Sequence, residues 1–285
     1  MMKFLEKNKE HDILTSLDYS SHQKAQQDLR ERETLPFRFV FPNLVTILAI
    51  CSGFSGIGAA LEGRYETAVC MVLVAAFLDG IDGRIARFMK ATSKFGEQLD
   101  SLADVINFGV APSLVTYISV LHPSHAIGWS VALMYTIATS LRLARFNTMN
   151  DSDQKEIWQD EYFVGIPAPL GAMLLMLPLY ISFLGVKITL LYSYGSAFYS
   201  VIISFLLCSR LPVWSGKTIH RNIRRDLVLP IILCAVSYIT FMTYFLWQVI
   251  IVSALGYIIM LPISSYCWHK RYGKQAHNDT ISEES

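Results

Sequence analysis

The stretch Met71-Val-Leu-Val-Ala-Ala-Phe-Leu-Asp79-Gly-Ile-Asp82-Gly83-Arg-Ile-Ala86-Arg87 decides the fold. It is an apolar run that ends in charge. Eight residues further on come Gly96, Asp100 and Asp104, opening a second apolar run. A charge at membrane depth costs roughly 2.5–3.5 kcal/mol on insertion scales, so such groups are kept for a use. Asp79 and Asp82 are three apart and Asp100 and Asp104 four apart, spacings that put each pair on one helix face. Two such helices facing each other would present four carboxylates to one point. That is a site for a hard divalent cation, which takes oxygen ligands.

Working outward, the composition agrees with a membrane protein. Of 285 residues 53% are apolar and 16% charged, against about 25% charged in soluble proteins. Apolar runs of roughly 20 residues, the length that spans a bilayer, fall near residues 37–61, 66–88, 98–121, 127–147, 165–186, 189–209, 227–246 and 248–268. The expected fold is an all-α bundle of about eight transmembrane helices. Lys and Arg stay on the cytoplasmic side. Of 24 such residues, 22 fall on one side of this eight-span arrangement, with Arg64 and Lys187 on the other. Both termini and the aspartate-rich ends of the second and third spans are therefore expected in the cytoplasm.

The chain divides into a polar N-terminal tail over residues 1–35, a transmembrane catalytic domain over 36–270 and a disordered C-terminal tail over 271–285. The N-terminal tail lacks the apolar core of a signal peptide, and either a mobile segment or a surface helix fits it. Basic residues are dispersed among loops, which argues against a nucleic-acid partner. Five cysteines lie within spans without a CxxC or His/Cys cluster, so neither a disulfide framework nor a zinc site is expected. Small residues in Cys51-Ser-Gly-Phe-Ser-Gly-Ile-Gly-Ala-Ala60 read as a close helix contact.

Four carboxylates could hold one ion or two about 4 Å apart, with a pyrophosphate clamped between. Gly83 and Ala86 leave a smooth stripe beside the acids, and Arg87 can meet a phosphate with a planar fork. An ion-paired helix seam without metal is the plain alternative, but four acids with few cations nearby would repel one another. A cation-coupled transporter is the rival of another class, because intramembrane carboxylates also mark ion paths.

The residues from Asp79 to Asp104 match D-x2-D-G-x2-A-R-x8-G-x3-D-x3-D at every fixed position. The chain in this respect resembles the CDP-alcohol phosphatidyltransferases. Further segments resemble the membrane-embedded phosphatidylserine synthases: Thr92 to Pro112, Leu141-Arg-Leu-Ala-Arg-Phe-Asn147 and Phe163-Val-Gly-Ile-Pro-Ala-Pro169. The resemblance covers residues 37–170 and weakens after them.

It implies transfer of the phosphatidyl group of CDP-diacylglycerol to an alcohol with release of CMP. The cofactor would be Mg²⁺ or Mn²⁺ on Asp79, Asp82, Asp100 and Asp104, and Asp104 could instead act as general base on the acceptor. Asn43, Thr46, Gly83, Ala86, Arg87, Thr92 and Ser93 would contact the CDP-lipid. L-Serine is the implied acceptor, with choline, glycerol phosphate or inositol phosphate as alternatives. Arg142 and Arg145, three apart on one helix face, with Asn107 and Asn147, are the candidates for holding it. Positive-inside anchoring explains these arginines equally well. A homodimer in a bacterial inner membrane, with its active site facing the cytoplasm, completes the expectation.

Overall fold

The structure is a computed structural model that describes residues 37–91, 93–150, 162–209, 212–214 and 225–283. The N-terminal tail and Thr92 lie outside these residues. Helices fall on all eight apolar runs. Helix α1 covers Phe37–Leu61 and α2 covers Tyr65–Phe88. A five-residue connection leads to α3, Lys94–Asp104, which continues through a wide π-helical turn, Val105–Val110, into α4, Ala111–Thr116. A second π turn at Tyr117–Leu121 and a tight turn at His122–Ser124 lead into α5, His125–Asn150. Short helices α6, Ala168–Leu175, and α7, Leu177–Phe183, precede α8, Leu190–Cys208. Helices α9, Arg225–Tyr244, and α10, Leu246–Glu283, close the chain.

By length and composition, four stretches among the described residues are long and apolar enough to cross a membrane: Val40–Leu61, Lys94–Met149, Leu190–Cys208 and Leu246–Tyr266. The second has 56 residues, which at 1.5 Å per residue is more than twice the thickness of a bilayer core. It is not one rod. His125 takes φ 48° and reverses the chain between the second π turn and α5. Helix α2 falls outside this group of four, since its last three turns carry Asp79, Asp82, Arg84 and Arg87. Charge at one end hides a helix from a hydropathy criterion.

Local chemistry explains the departures from regular helix. Pro112 has no N–H to give to the carbonyl four residues earlier, and its ring crowds that carbonyl. The turn before it widens, and the freed Phe108 carbonyl accepts from Tyr135 Oη at 3.2 Å. At the α6–α7 junction Pro178 enters the first turn of α7, where a missing donor costs nothing.

Two features were not expected. Residues Tyr162–Val164 (β1) and Pro212–Trp214 (β2) pair antiparallel, with Phe163 opposite Val213. This short ribbon sits within an otherwise all-helical fold. In addition, the polar segment read as a disordered C-terminal tail continues α10 as helix up to Glu283.

Helices α1 and α2 pack side by side through their small residues. A Cβ built on Gly56 would stand 3.0 Å from the Ala68 carbonyl. Ser52 Oγ also donates to the Met71 carbonyl at 2.8 Å. The main apolar core joins Val69 and Val72 of α2 to Tyr135 of α5, Leu174–Tyr180 of α6 and α7, Leu207 of α8 and Ile250 of α10. It anchors the N-terminal half of α2, and the aspartate-bearing half extends beyond it.

Candidate active site

The carboxylates converge as the spacing predicts, with one refinement. Oxygens of Asp79, Asp82 and Asp100 all lie within 4.8 Å of one another. Asp104 stands beside this trio, its carboxyl group against that of Asp79. One oxygen of Asp79 is buried without a hydrogen-bond partner among the described residues.

Each acid is held by its helix and by neighbours. Asp82 is 2% exposed. It accepts from Thr46 Oγ1 at 2.6 Å and from the Gly83 backbone N–H. Thr46 comes from α1, so the α1–α2 contact aims this carboxylate. Asp100 lies on α3, whose start is capped by Ser93: its Oγ accepts from Gly96 N–H at 3.0 Å. Such a cap satisfies a donor that the helix start would leave unpaired. A Cβ on Gly96 would meet Asn43 Oδ1 at 3.0 Å, which gives a packing reason for the glycine of the motif.

A cavity of ≈ 320 Å³ opens beside the acids, lined by residues of α1, α2, α3 and the connection between α2 and α3. Asn43, Thr46, Gly83, Ala86, Arg87 and Ser93 all lie on its wall. Nothing lies within 4 Å of the position a Cβ would take on Gly83. The Gly83–Ala86 stripe is therefore open space beside backbone, suited to a flat group. Arg87 is exposed, and its Nε donates to the Gly83 carbonyl at 3.0 Å. Pro42 also lines the cavity, as do Ala91 and Glu97, which were not singled out. Glu97 stands one turn before Asp100, a spacing that could have marked it.

The four acceptor candidates separate. Arg142 is half-buried and within electrostatic reach of Asp104, Tyr135 and Tyr257. Arg145 points elsewhere: its guanidinium donates to the Cys208 and Ser209 carbonyls at 3.0 and 3.3 Å, closing the C-terminal end of α8. Asn147 donates to Ser101 Oγ at 3.0 Å and ties α5 to α3. Asn107 is 0% exposed, and neither amide atom has a hydrogen-bond partner among the described residues. It lies on the π turn against Gly53 of α1, off the cavity wall.

The donor set suits a hard cation. All the clustered groups are carboxylates, without the sulfur or imidazole that softer metals take, and an uncompensated buried carboxylate cluster is costly. A cation between Asp79, Asp82 and Asp100 would reach the phosphates of a ligand in the cavity.

The family match spans the same region. The family model for CDP-alcohol phosphatidyltransferase matches residues 39–209, which include the cavity and all four aspartates. A CDP-diacylglycerol–serine O-phosphatidyltransferase of Mycobacterium bovis is 34% identical over 236 residues, covering 79% of this chain and 78% of that protein. The protein of that name from Helicobacter pylori (strain J99) is 44% identical over 140 residues, 49% of this chain and 56% of its own. Archaetidylserine synthase of Methanothermobacter thermautotrophicus is 31% identical over 134 residues, 46% of this chain and 54% of its own. With its aspartate cluster and cavity inside the matched region, the chain belongs to the CDP-alcohol phosphatidyltransferase family.

Proposed function

We propose that the chain transfers the phosphatidyl group of CDP-diacylglycerol to the hydroxyl of L-serine, giving phosphatidylserine and CMP. The observation that carries this is the carboxylate trio at the edge of a cavity with an open glycine stripe and an arginine. The serine acceptor is supported by the names of the relatives from Mycobacterium and Helicobacter.

Asp79, Asp82 and Asp100 would hold a divalent cation, Mg²⁺ or Mn²⁺, which would supply charge neutralisation for the pyrophosphate and for CMP as a leaving group. The remaining steps belong to the chain. Gly83 and Ala86 leave room for the cytidine diphosphate, and Arg87 offers its fork to a phosphate. Asn43, Thr46 and Ser93 form the facing wall. Asp104, beside the trio, takes the proton of the serine hydroxyl as general base. The freed oxygen attacks the phosphorus that carries diacylglycerol, and the bond from that phosphorus to the CMP oxygen breaks. Arg142 meets the serine carboxylate in charge-assisted hydrogen bonds. Arg145 and Asn147 act one step back, by holding α5 against α8 and α3.

The same proposal takes eight spans with both termini and the cavity on the cytoplasmic side, supported by the distribution of Lys and Arg. A homodimer in a bacterial inner membrane follows from the family resemblance.

Gly83→Val tests the donor site. The Cβ position is empty, so the fold should stand while the side chain fills the cavity. The expected result is a rise of roughly tenfold or more in KM for CDP-diacylglycerol, with an unchanged unfolding temperature. An unchanged KM would remove the cytidine diphosphate from this wall. The acceptor is tested by following CMP release with CDP-diacylglycerol and Mg²⁺ in the presence of serine, choline, glycerol phosphate or inositol phosphate. Release with serine is expected; release with another alcohol instead would keep the donor chemistry and replace the acceptor.

A further inference from the structure

Helix α10 lies beyond residues 39–209, the region that the family model matches. Its inward face reads Ile250, Ala254, Tyr257 and Leu261, spaced four, three and four apart as one side of a helix requires. Ile250, Ala254 and Leu261 are buried in the core. Tyr257 interrupts this apolar stripe with a hydroxyl that is itself buried and has no hydrogen-bond partner among the described residues. Burying a hydroxyl unpaired is unfavourable.

A second buried donor is in the same condition. Arg142 Nε has no partner among the described residues either. The two groups interact electrostatically, and Arg142 interacts with Asp104 as well. Asp104, Arg142 and Tyr257, contributed by α3, α5 and α10, are thus electrostatically coupled through Arg142. Tyr257 Oη and Arg142 Nε are buried donors without a partner among the described residues.

We propose that Tyr257 and Arg142 together form the carboxylate pocket of the acceptor amino acid, making Tyr257 a specificity residue for serine. This rests on the serine reading above. In serine the hydroxyl and the carboxylate sit on adjacent carbons. An acceptor whose hydroxyl reaches Asp104 must therefore place its carboxylate near that residue's neighbours, and among those the aspartates Asp79, Asp82 and Asp100 repel it while Arg142 is the cation that attracts it. Tyr257 then donates its hydroxyl hydrogen to the second carboxylate oxygen, and both orphaned donors are satisfied at once. An alcohol without a carboxylate, such as choline, leaves both unpaired, which is the arrangement that discriminates most strongly between related acceptors.

The test is Tyr257→Phe in the purified full chain. The change removes one oxygen and no hydrogen bond to another described residue, so folding should be undisturbed. The KM for L-serine is expected to rise about tenfold or more, while KM for CDP-diacylglycerol and kcat at saturating serine stay within about twofold. L-Alanine, which keeps the carboxylate and lacks the hydroxyl, should weaken as a competitive inhibitor by the same factor. A purely structural role would move both KM values or the unfolding temperature together, and that result overturns the inference. So does a serine KM unchanged from the parent. The unaltered protein is measured first: if it releases CMP with another alcohol only, the serine reading fails, and the inference falls with it.

Discussion

Asp104→Asn should lower kcat for CMP release by roughly 10²–10⁴-fold, the usual contribution of a positioned general base. The substitution keeps the shape of the side chain and removes its ability to take a proton. Asp104 stands outside the trio whose oxygens lie within 4.8 Å of one another, so that trio remains. CDP-diacylglycerol should still bind, because the cavity walls do not include Asp104. The expected pattern is thus a fall in kcat with KM for the CDP-lipid little changed, as measured by steady-state CMP release. Full activity in this variant would remove Asp104 from the chemistry.

Asp82→Ala should be as damaging for a different reason. Asp82 is one of the trio and is also the acid that α1 reaches, through the 2.6 Å bond from Thr46. Losing an outer partner of a metal ligand typically costs 10–100-fold in metal affinity or activity. Losing the ligand itself should cost more than about 100-fold and leave Thr46 without its acceptor. The measurement is CMP release as a function of Mg²⁺ concentration, where the variant should need far more metal or fail to respond. Glu97→Gln is the control. Glu97 lines the same cavity but lies outside the trio, so its Mg²⁺ dependence should match the parent. Equal losses in both variants would mean that general negative charge, and not the trio, sets the response.

The centre of the site could be read before any coordinates because helix geometry converts spacing into direction. Acids three and four apart in two adjoining apolar runs can point to one place only if both runs are helices, and the structure brings Asp79, Asp82 and Asp100 together. Gly83, Ala86 and Arg87 follow by the same rule onto the cavity wall. The second rank of residues was harder to read. Arg142 and Arg145 share a helix face, yet one turn separates an arginine beside Asp104 from one that closes the end of α8. Sequence cannot say where the open carbonyls of another helix will arrive.

Asn147 was equally opaque, since its partner Ser101 is 46 residues away in sequence and becomes a neighbour only when α5 packs on α3. The β1–β2 ribbon escaped because three residues per strand are too few to show alternation. Tyr257 escaped because a tyrosine within an apolar stripe looks like packing until the absence of a partner for its hydroxyl is seen. Pro112, in contrast, carried a signal in plain view: a proline within a helical run predicts a disturbed turn before it, and the π turn lies there.

The most direct test of the whole account is the stoichiometry of lipid formation. Purified protein is given CDP-diacylglycerol, Mg²⁺ and radiolabelled L-serine, and both CMP and chloroform-soluble label are counted over time. The account predicts one phosphatidylserine formed for each CMP released, with neither product in the absence of serine or after chelation of the metal. Folded protein that binds CDP-diacylglycerol but releases no CMP with serine, or releases CMP without labelled lipid, would contradict it.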